Sequence, residues 1–115
     1  MPSTTSFKKR EIILVPFPFT DLSSAKHRPA IIVSPDSYNT GNDVVIAYVT
    51  SQLSVPARLG DYQIQKWKEA GLPKPSMVRM KFAAVTKNII IKTIGKLEIE
   101  DREQLEKIIL AFFKS

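Results

Sequence analysis

The residues best suited to chemistry gather where one apolar segment hands over to the next. Lys26-His27-Arg28-Pro29 stands directly before Ala30-Ile31-Ile32-Val33-Ser34. The Pro29 ring fixes its own φ at about −65° and pushes Arg28 toward extended backbone. A guanidinium on so stiff a strand entrance can meet a phosphate with two parallel hydrogen bonds. It keeps its charge at any working pH, which suits charge stabilisation better than proton donation. His27 is the only histidine, the residue type that exchanges protons near neutrality. Neighbouring strand residues point to opposite faces, so His27 is expected to diverge from Arg28 and to anchor the loop. Thr50-Ser51-Gln52 closes another apolar segment with two hydroxyls and an amide, groups that bond a phosphate oxygen or a base edge. By residue type alone Thr50 is an ordinary β-branched strand residue.

Composition narrows the classes. The chain has 115 residues, 43% hydrophobic and 24% charged, enough for one domain with a single core. No apolar run reaches the ~18 residues of a membrane-spanning helix. Met1 to Lys9 is polar around a single Phe7 and lacks the apolar middle of a signal peptide. There is no cysteine, so disulfides and thiolate metal sites are excluded. A lone histidine with scattered carboxylates offers no transition-metal site, and no cofactor is expected. A cytoplasmic protein is the expectation.

The net charge is +6 and unevenly spread. Lys66, Lys68, Lys74, Arg79, Lys81, Lys87, Lys92 and Lys96 share their stretch with one acidic residue, Glu69, whereas acidic residues prevail after Leu97. Such a zone implies a polyanion, an acidic protein partner or a solvated lysine-rich face. Charge sign does not choose between RNA, DNA and an acidic peptide.

The elements that must position these residues are short. Residues 1–9 are expected to form a flexible tail and residues 10–115 one domain. Glu11 to Phe19, Pro29 to Ser34, Val44 to Thr50, Leu59 to Gln65, Met77 to Phe82 and Ile89 to Ile94 read as strands. Pro16 and Pro18 push the end of the first toward an edge or loop. Thr20 to His27 is a loop, and Asp36 to Asp43, with Asn39, Gly41 and Asn42, is a turn. Gln52 to Arg58 is irregular, and Gly71, Pro73 and Pro75 forbid a long helix between Trp67 and Ser76. Leu105, Ile108, Ile109 and Phe112 recur at helical spacing, with Asp101 and Gln104 as the expected N-terminal signal. The expected fold is mainly β: a small curled, barrel-like sheet of about six to seven short strands with a C-terminal α-helix.

Ile12-Ile13-Leu14-Val15-Pro16-Phe17-Pro18-Phe19-Thr20-Asp21 and His27-Arg28-Pro29-Ala30-Ile31-Ile32-Val33-Ser34 carry a resemblance to the MazF/PemK family of toxin ribonucleases. It runs from about Glu11 to Phe113. Ser34-Pro35 with Tyr38-Asn39 extends the second block, and Val49-Thr50-Ser51-Gln52 resembles the family's third-strand end. Gly71-Leu72, Pro75-Ser76, Val78 and Ile94-Gly95-Lys96-Leu97 resemble its second half. Each block is weak alone; their order and spacing are specific. Two departures stand out. The family's usual Gly-Asp before the first strand is Arg10-Glu11, and Ser23 and Ser24 occupy the loop where some members carry an acidic residue.

The resemblance implies a compact SH3-like barrel of the CcdB/PemK type and a homodimer. It also implies metal-free cleavage of single-stranded RNA, with a cognate antitoxin whose acidic, disordered segment neutralises the toxin. It assigns catalysis to Arg28 and Thr50, and makes Thr20, Ser23, Ser24, Lys26, His27, Ser51 and Gln52 substrate-binding candidates. Metal-free cleavage uses the RNA's own 2′-hydroxyl as nucleophile, so the protein must stabilise a charged phosphorane and assist proton transfer. Trp67 and Phe82 are candidates for base stacking, although core packing is the commoner fate of aromatic residues. Two alternatives stay open. One is a CcdB-like toxin that binds DNA gyrase and needs neither Arg28 nor Thr50; the other is a catalytically silent member.

Overall fold

Period-two alternation of apolar side chains builds the sheet. The computed structural model describes residues 6–17, 26–54 and 56–115; Thr20, Ser23 and Ser24 lie outside them. β1 (Glu11–Phe17), β2 (Lys26–Ile32) and β3 (Asp43–Thr50) are apolar on both faces. Ile12, Ile31, Ala47 and Val49 enter one core, while Ile13, Val15, Ala30, Ile32, Val44 and Ile46 enter the other. With β4 (Tyr62–Gln63), β5 (Met77–Thr86) and β6 (Lys92–Lys96) they form one six-stranded sheet in the order β4-β5-β3-β2-β1-β6. All pairings are antiparallel, and the sheet curls into a half-barrel.

A C-terminal helix covers one face. Leu105 and Ile109 of α2 (Ile99–Lys114) pack on the first core, as their spacing requires. Phe7, Ile89 and Ile90 close the other core. Phe7 is buried and the Lys9 N–H donates to Asp36 Oδ1 at 2.8 Å. The described part of the segment read as a flexible tail is therefore anchored.

Several sequence blocks turn out to be structural. Ser34 and Asn39 are both buried. Asn39 Nδ2 donates to the Ser34 carbonyl at 3.2 Å, and Ser34 Oγ accepts the Val45 N–H at 2.9 Å. These bonds fold the expected turn into one helical turn, α1 (Asp36–Asn39), and tie it to β3. Gly71 and Gly95 bring two backbones together: a Cβ at Gly95 would lie 1.9 Å from the Ala70 oxygen, and one at Gly71, whose φ is +93°, 2.3 Å from the Ile94 oxygen. Only glycine fits either position.

Asp101 does not cap its own helix, contrary to the sequence expectation. Glu98 holds the capping position and makes no side-chain cap bond. The Asp101 carboxylate is fully buried and accepts the Gln65 and Lys66 N–H groups at 2.9 Å each, and the Tyr62 hydroxyl. It staples the turn after β4 to α2, with bonds to a charged acceptor worth roughly 1.5–3 kcal/mol apiece. Burial and this carboxylate together push the Tyr62 phenol well above its ordinary range, so it remains a donor.

Strand limits differ from the sequence reading for local reasons. β4 is only two residues long, because Gly60 takes φ +88° and the Asp61 N–H closes a turn onto the Arg58 carbonyl at 3.0 Å. Leu59, read as strand, is 80% exposed. A 3-10 turn at Lys87–Ile89 delays β6 to Lys92, and β5 runs on to Thr86 instead of stopping at Phe82.

Candidate active site

Arg28 and Thr50 come to line one cleft through the strand register. In β2 and β3 Ala30 pairs with Tyr48, and two further antiparallel steps bring Arg28 level with Thr50. The pairing stops at Ala30, where Pro29 has no N–H to continue the ladder. Side-chain parity puts Arg28, Ala30, Tyr48 and Thr50 on the face away from α2. His27 falls on the opposite parity.

β5 supplies the third wall. Ala47 pairs with Phe82 but Val49 with Val78, so Tyr48 faces a bulge of three residues, Arg79-Met80-Lys81. A bulge bends its strand and re-aims side chains. Met80 packs on the α2 core, which leaves Arg79 and Lys81 to the other face. The Lys81 ammonium stands 5.4 Å from the centroid of the Tyr48 ring, within cation–π range.

These residues line one open cleft of about 310 Å³: Arg28, Thr50, Gln52, Arg58, Arg79 and Lys81, over a floor that includes Val15, Ala30 and Tyr48. The lining holds four cationic side chains and no carboxylate. Among the described residues no carboxylate pairs with Arg28, Arg58 or Lys81. The Glu11 carboxylate on β1 accepts the Lys8 N–H at 2.8 Å. Such a lining creates a positive potential that attracts anions.

The hydroxyl of Thr50 is oriented. Its Oγ1 accepts the Gln52 N–H at 3.1 Å, which leaves the hydroxyl proton free for an acceptor in the cleft. The same bond fixes the turn that brings Gln52 to the lining. Burial raises the Tyr48 phenol above its usual ionisation range, so it stays protonated at neutral pH. Among the described residues no three of His, Cys, Asp and Glu come together as metal ligands.

Residues 8–113 match the family model of PemK-like, MazF-like toxins of type II toxin–antitoxin systems. The chain belongs to that family. Among solved structures it is similar to the Mycobacterium tuberculosis toxin MazF-mt6, with 20% identity, a TM-score of 0.72, and coverage of 91% of this chain and 97% of that one. Deinococcus radiodurans MazF matches with 11% identity, a TM-score of 0.73, and coverage of 97% and 100%. A mycobacterial endoribonuclease solved with its cognate antitoxin matches with 12% identity, a TM-score of 0.73, and coverage of 94% and 93%. At these identities the shared property is the fold. A sequence comparison with curated proteins finds no match.

Within this PemK/MazF-type domain the sequence-derived candidates separate. Arg28, Thr50 and Gln52 share the cleft, whereas Lys26, His27 and Ser51 are not among its lining residues. Thr20, Ser23 and Ser24 lie outside the described residues. Trp67 and Phe82 pack against the α2 core, and Phe82 also contacts the Phe112 and Phe113 rings. Sequence reasoning passed over Tyr48, Arg58, Arg79 and Lys81. The alternation Val78-Arg79-Met80-Lys81-Phe82 is the signal that marks two of them, because it sends both cations to one face.

The departure at Arg10 has a structural counterpart. Arg10 takes φ +78°, the left-handed region where glycine is the easy occupant. Its guanidinium lies 3.3 Å from Glu106 on α2. The turn before β1 therefore keeps a glycine-like backbone with an arginine in it.

Proposed function

We propose that this protein is a metal-independent, sequence-specific endoribonuclease toxin that cuts single-stranded RNA through attack of its 2′-hydroxyl. The observation that supports the reading is that Arg28 and Thr50 line one cleft with four cationic side chains and no carboxylate. In the reaction the 2′-oxygen bonds to phosphorus, the P–O5′ bond breaks, and a 2′,3′-cyclic phosphate and a 5′-hydroxyl result. The 2′-hydroxyl loses its proton as it attacks, and the departing 5′-oxygen gains one; water serves both transfers in the minimal scheme.

Arg28 meets the negative charge that builds on the non-bridging oxygens, with two charge-assisted hydrogen bonds. Thr50 donates its free hydroxyl proton to the same phosphoryl group. Arg58 and Lys81 hold flanking phosphates. A divalent metal would find only cations and neutral donors among the lining residues, a poor set for Mg²⁺ or Mn²⁺.

The protein works as a homodimer, and a cognate antitoxin neutralises it with an acidic segment that orders on binding. The cationic cleft suits such a segment, and ordering on contact lets it wrap a broad surface. Neighbouring folds have been solved as MazE–MazF complexes, in keeping with this.

Pure protein incubated with a long RNA in EDTA is expected to cut it at a short sequence, leaving cyclic phosphate and 5′-hydroxyl ends. Strict dependence on Mg²⁺ or Mn²⁺ would contradict the mechanism. Inhibition of gyrase supercoiling with RNA left intact would support the CcdB-like alternative instead.

A further inference from the structure

Asp61 and Arg79 face each other because β4 pairs with β5 through Tyr62–Val78 and Gln63–Met77, and one more step brings the two charges level. Arg79 Nη2 lies 3.1 Å from Asp61 Oδ2 and also donates to the Pro56 carbonyl at 3.1 Å. Asp61 Oδ2 accepts the Arg58 N–H at 2.8 Å as well. Arg79 thus fastens the loop between β3 and β4, which delivers Gln52 and Arg58 to the cleft.

The ion pair is one-pronged. The side chains are 12% and 8% exposed, yet Arg79 Nε and Asp61 Oδ1, both buried, have no partner among the described residues. Buried polar atoms without partners are rare in folded proteins. A guanidinium carries five N–H donors in a fork, and this one uses a single nitrogen while lining the cleft. Met77 pairs with Thr50, so Arg79 lies two strand residues further along, roughly 7 Å. That is on the order of one step of an extended nucleotide chain.

We propose that Arg79 binds the backbone phosphate next to the one that is cut, while its Nη2 edge keeps the β3–β4 loop in place. The assignment rests on the nuclease reading above. It gives Arg79 a role that Asp61 does not share, and this separates it from a purely structural ion pair. Arg79→Gln alone would leave Asp61 buried without a counter-charge, a strongly destabilising change. The informative comparison is therefore Asp61→Asn against the double variant Asp61→Asn, Arg79→Gln, with folding checked by thermal melts.

The probe is an RNA carrying one 2′-deoxy residue at the mapped cut site, with affinity measured over a range of salt concentrations. Asp61→Asn should keep the wild-type slope of log affinity against log salt. The double variant should show a slope shallower by about 0.7, the value for one phosphate contact on a single strand. Asp61→Asn, Arg79→Lys should restore the slope, since an ammonium still meets a phosphate as a point charge. Equal slopes for Asp61→Asn and the double variant would overturn the proposal and leave Arg79 as a loop fastener. Wild-type protein that binds no RNA would sink the nuclease reading itself, and this inference with it.

Discussion

Arg28→Ala should slow RNA cleavage roughly 10²–10³-fold, about 3–4 kcal/mol of lost transition-state stabilisation. The loss belongs mainly in kcat, because the charge that Arg28 meets grows as the phosphorane forms. Arg28→Lys should recover only a small part, since an ammonium keeps the charge but not the planar fork. Arg28 is exposed and pairs with no described carboxylate, so its removal strands no buried partner and stability should move by less than about 0.5 kcal/mol. Single-turnover cleavage rates alongside circular dichroism check both halves. Unchanged activity in a folded Arg28→Ala protein would remove this residue from the mechanism.

Thr50→Val is the second large effect, a loss of roughly 10²-fold, at the lower end of what a transition-state donor supplies. Valine keeps the shape and the β-branched backbone preference of threonine. What disappears is the hydroxyl donor and the acceptor that holds the Gln52 N–H at 3.1 Å. Thr50→Ser keeps both and should retain most of the rate. If Thr50→Val cut as fast as wild type under single turnover, the hydroxyl would have no part in the chemistry.

Much of the fold was legible because its signals are local. Ala30-Ile31-Ile32 reads as a strand buried on both sides, and the structure buries all three residues. Leu105 and Ile109 recur at helical spacing and pack where that spacing sends them. Asp101 misled because a carboxylate near a helix start normally serves that helix. Its partners here are the N–H groups of Gln65 and Lys66, which are distant in sequence and invisible to any local rule. Leu59 read as strand for its apolar side chain, but the positive φ of Gly60 breaks the run.

The candidate site divides in the same way. Pro29 flags Arg28 and Thr50 ends its strand, so both positions could be read from the sequence. β2 nevertheless begins at Lys26, within the expected loop, because β1 already pairs with Lys26, His27 and Arg28. Their meeting depends on the β2–β3 register, which no single segment states. Arg79 and Lys81 alternate with core residues and could have been picked from that alternation. Arg58 and the Asp61–Arg79 pair could not, since the loop geometry that places them depends on contacts across β4 and β5.

The central claim is that this cleft cuts RNA with the RNA's own 2′-hydroxyl. Its most direct test is a single oligonucleotide that carries the mapped cleavage sequence, with one 2′-deoxy sugar on the 5′ side of the cut, incubated in EDTA beside the all-ribose strand. The account predicts that the all-ribose strand is cut, and that the substituted strand is bound with similar affinity and left intact at that bond. Cleavage of the 2′-deoxy strand at the same bond and at a comparable rate would contradict it.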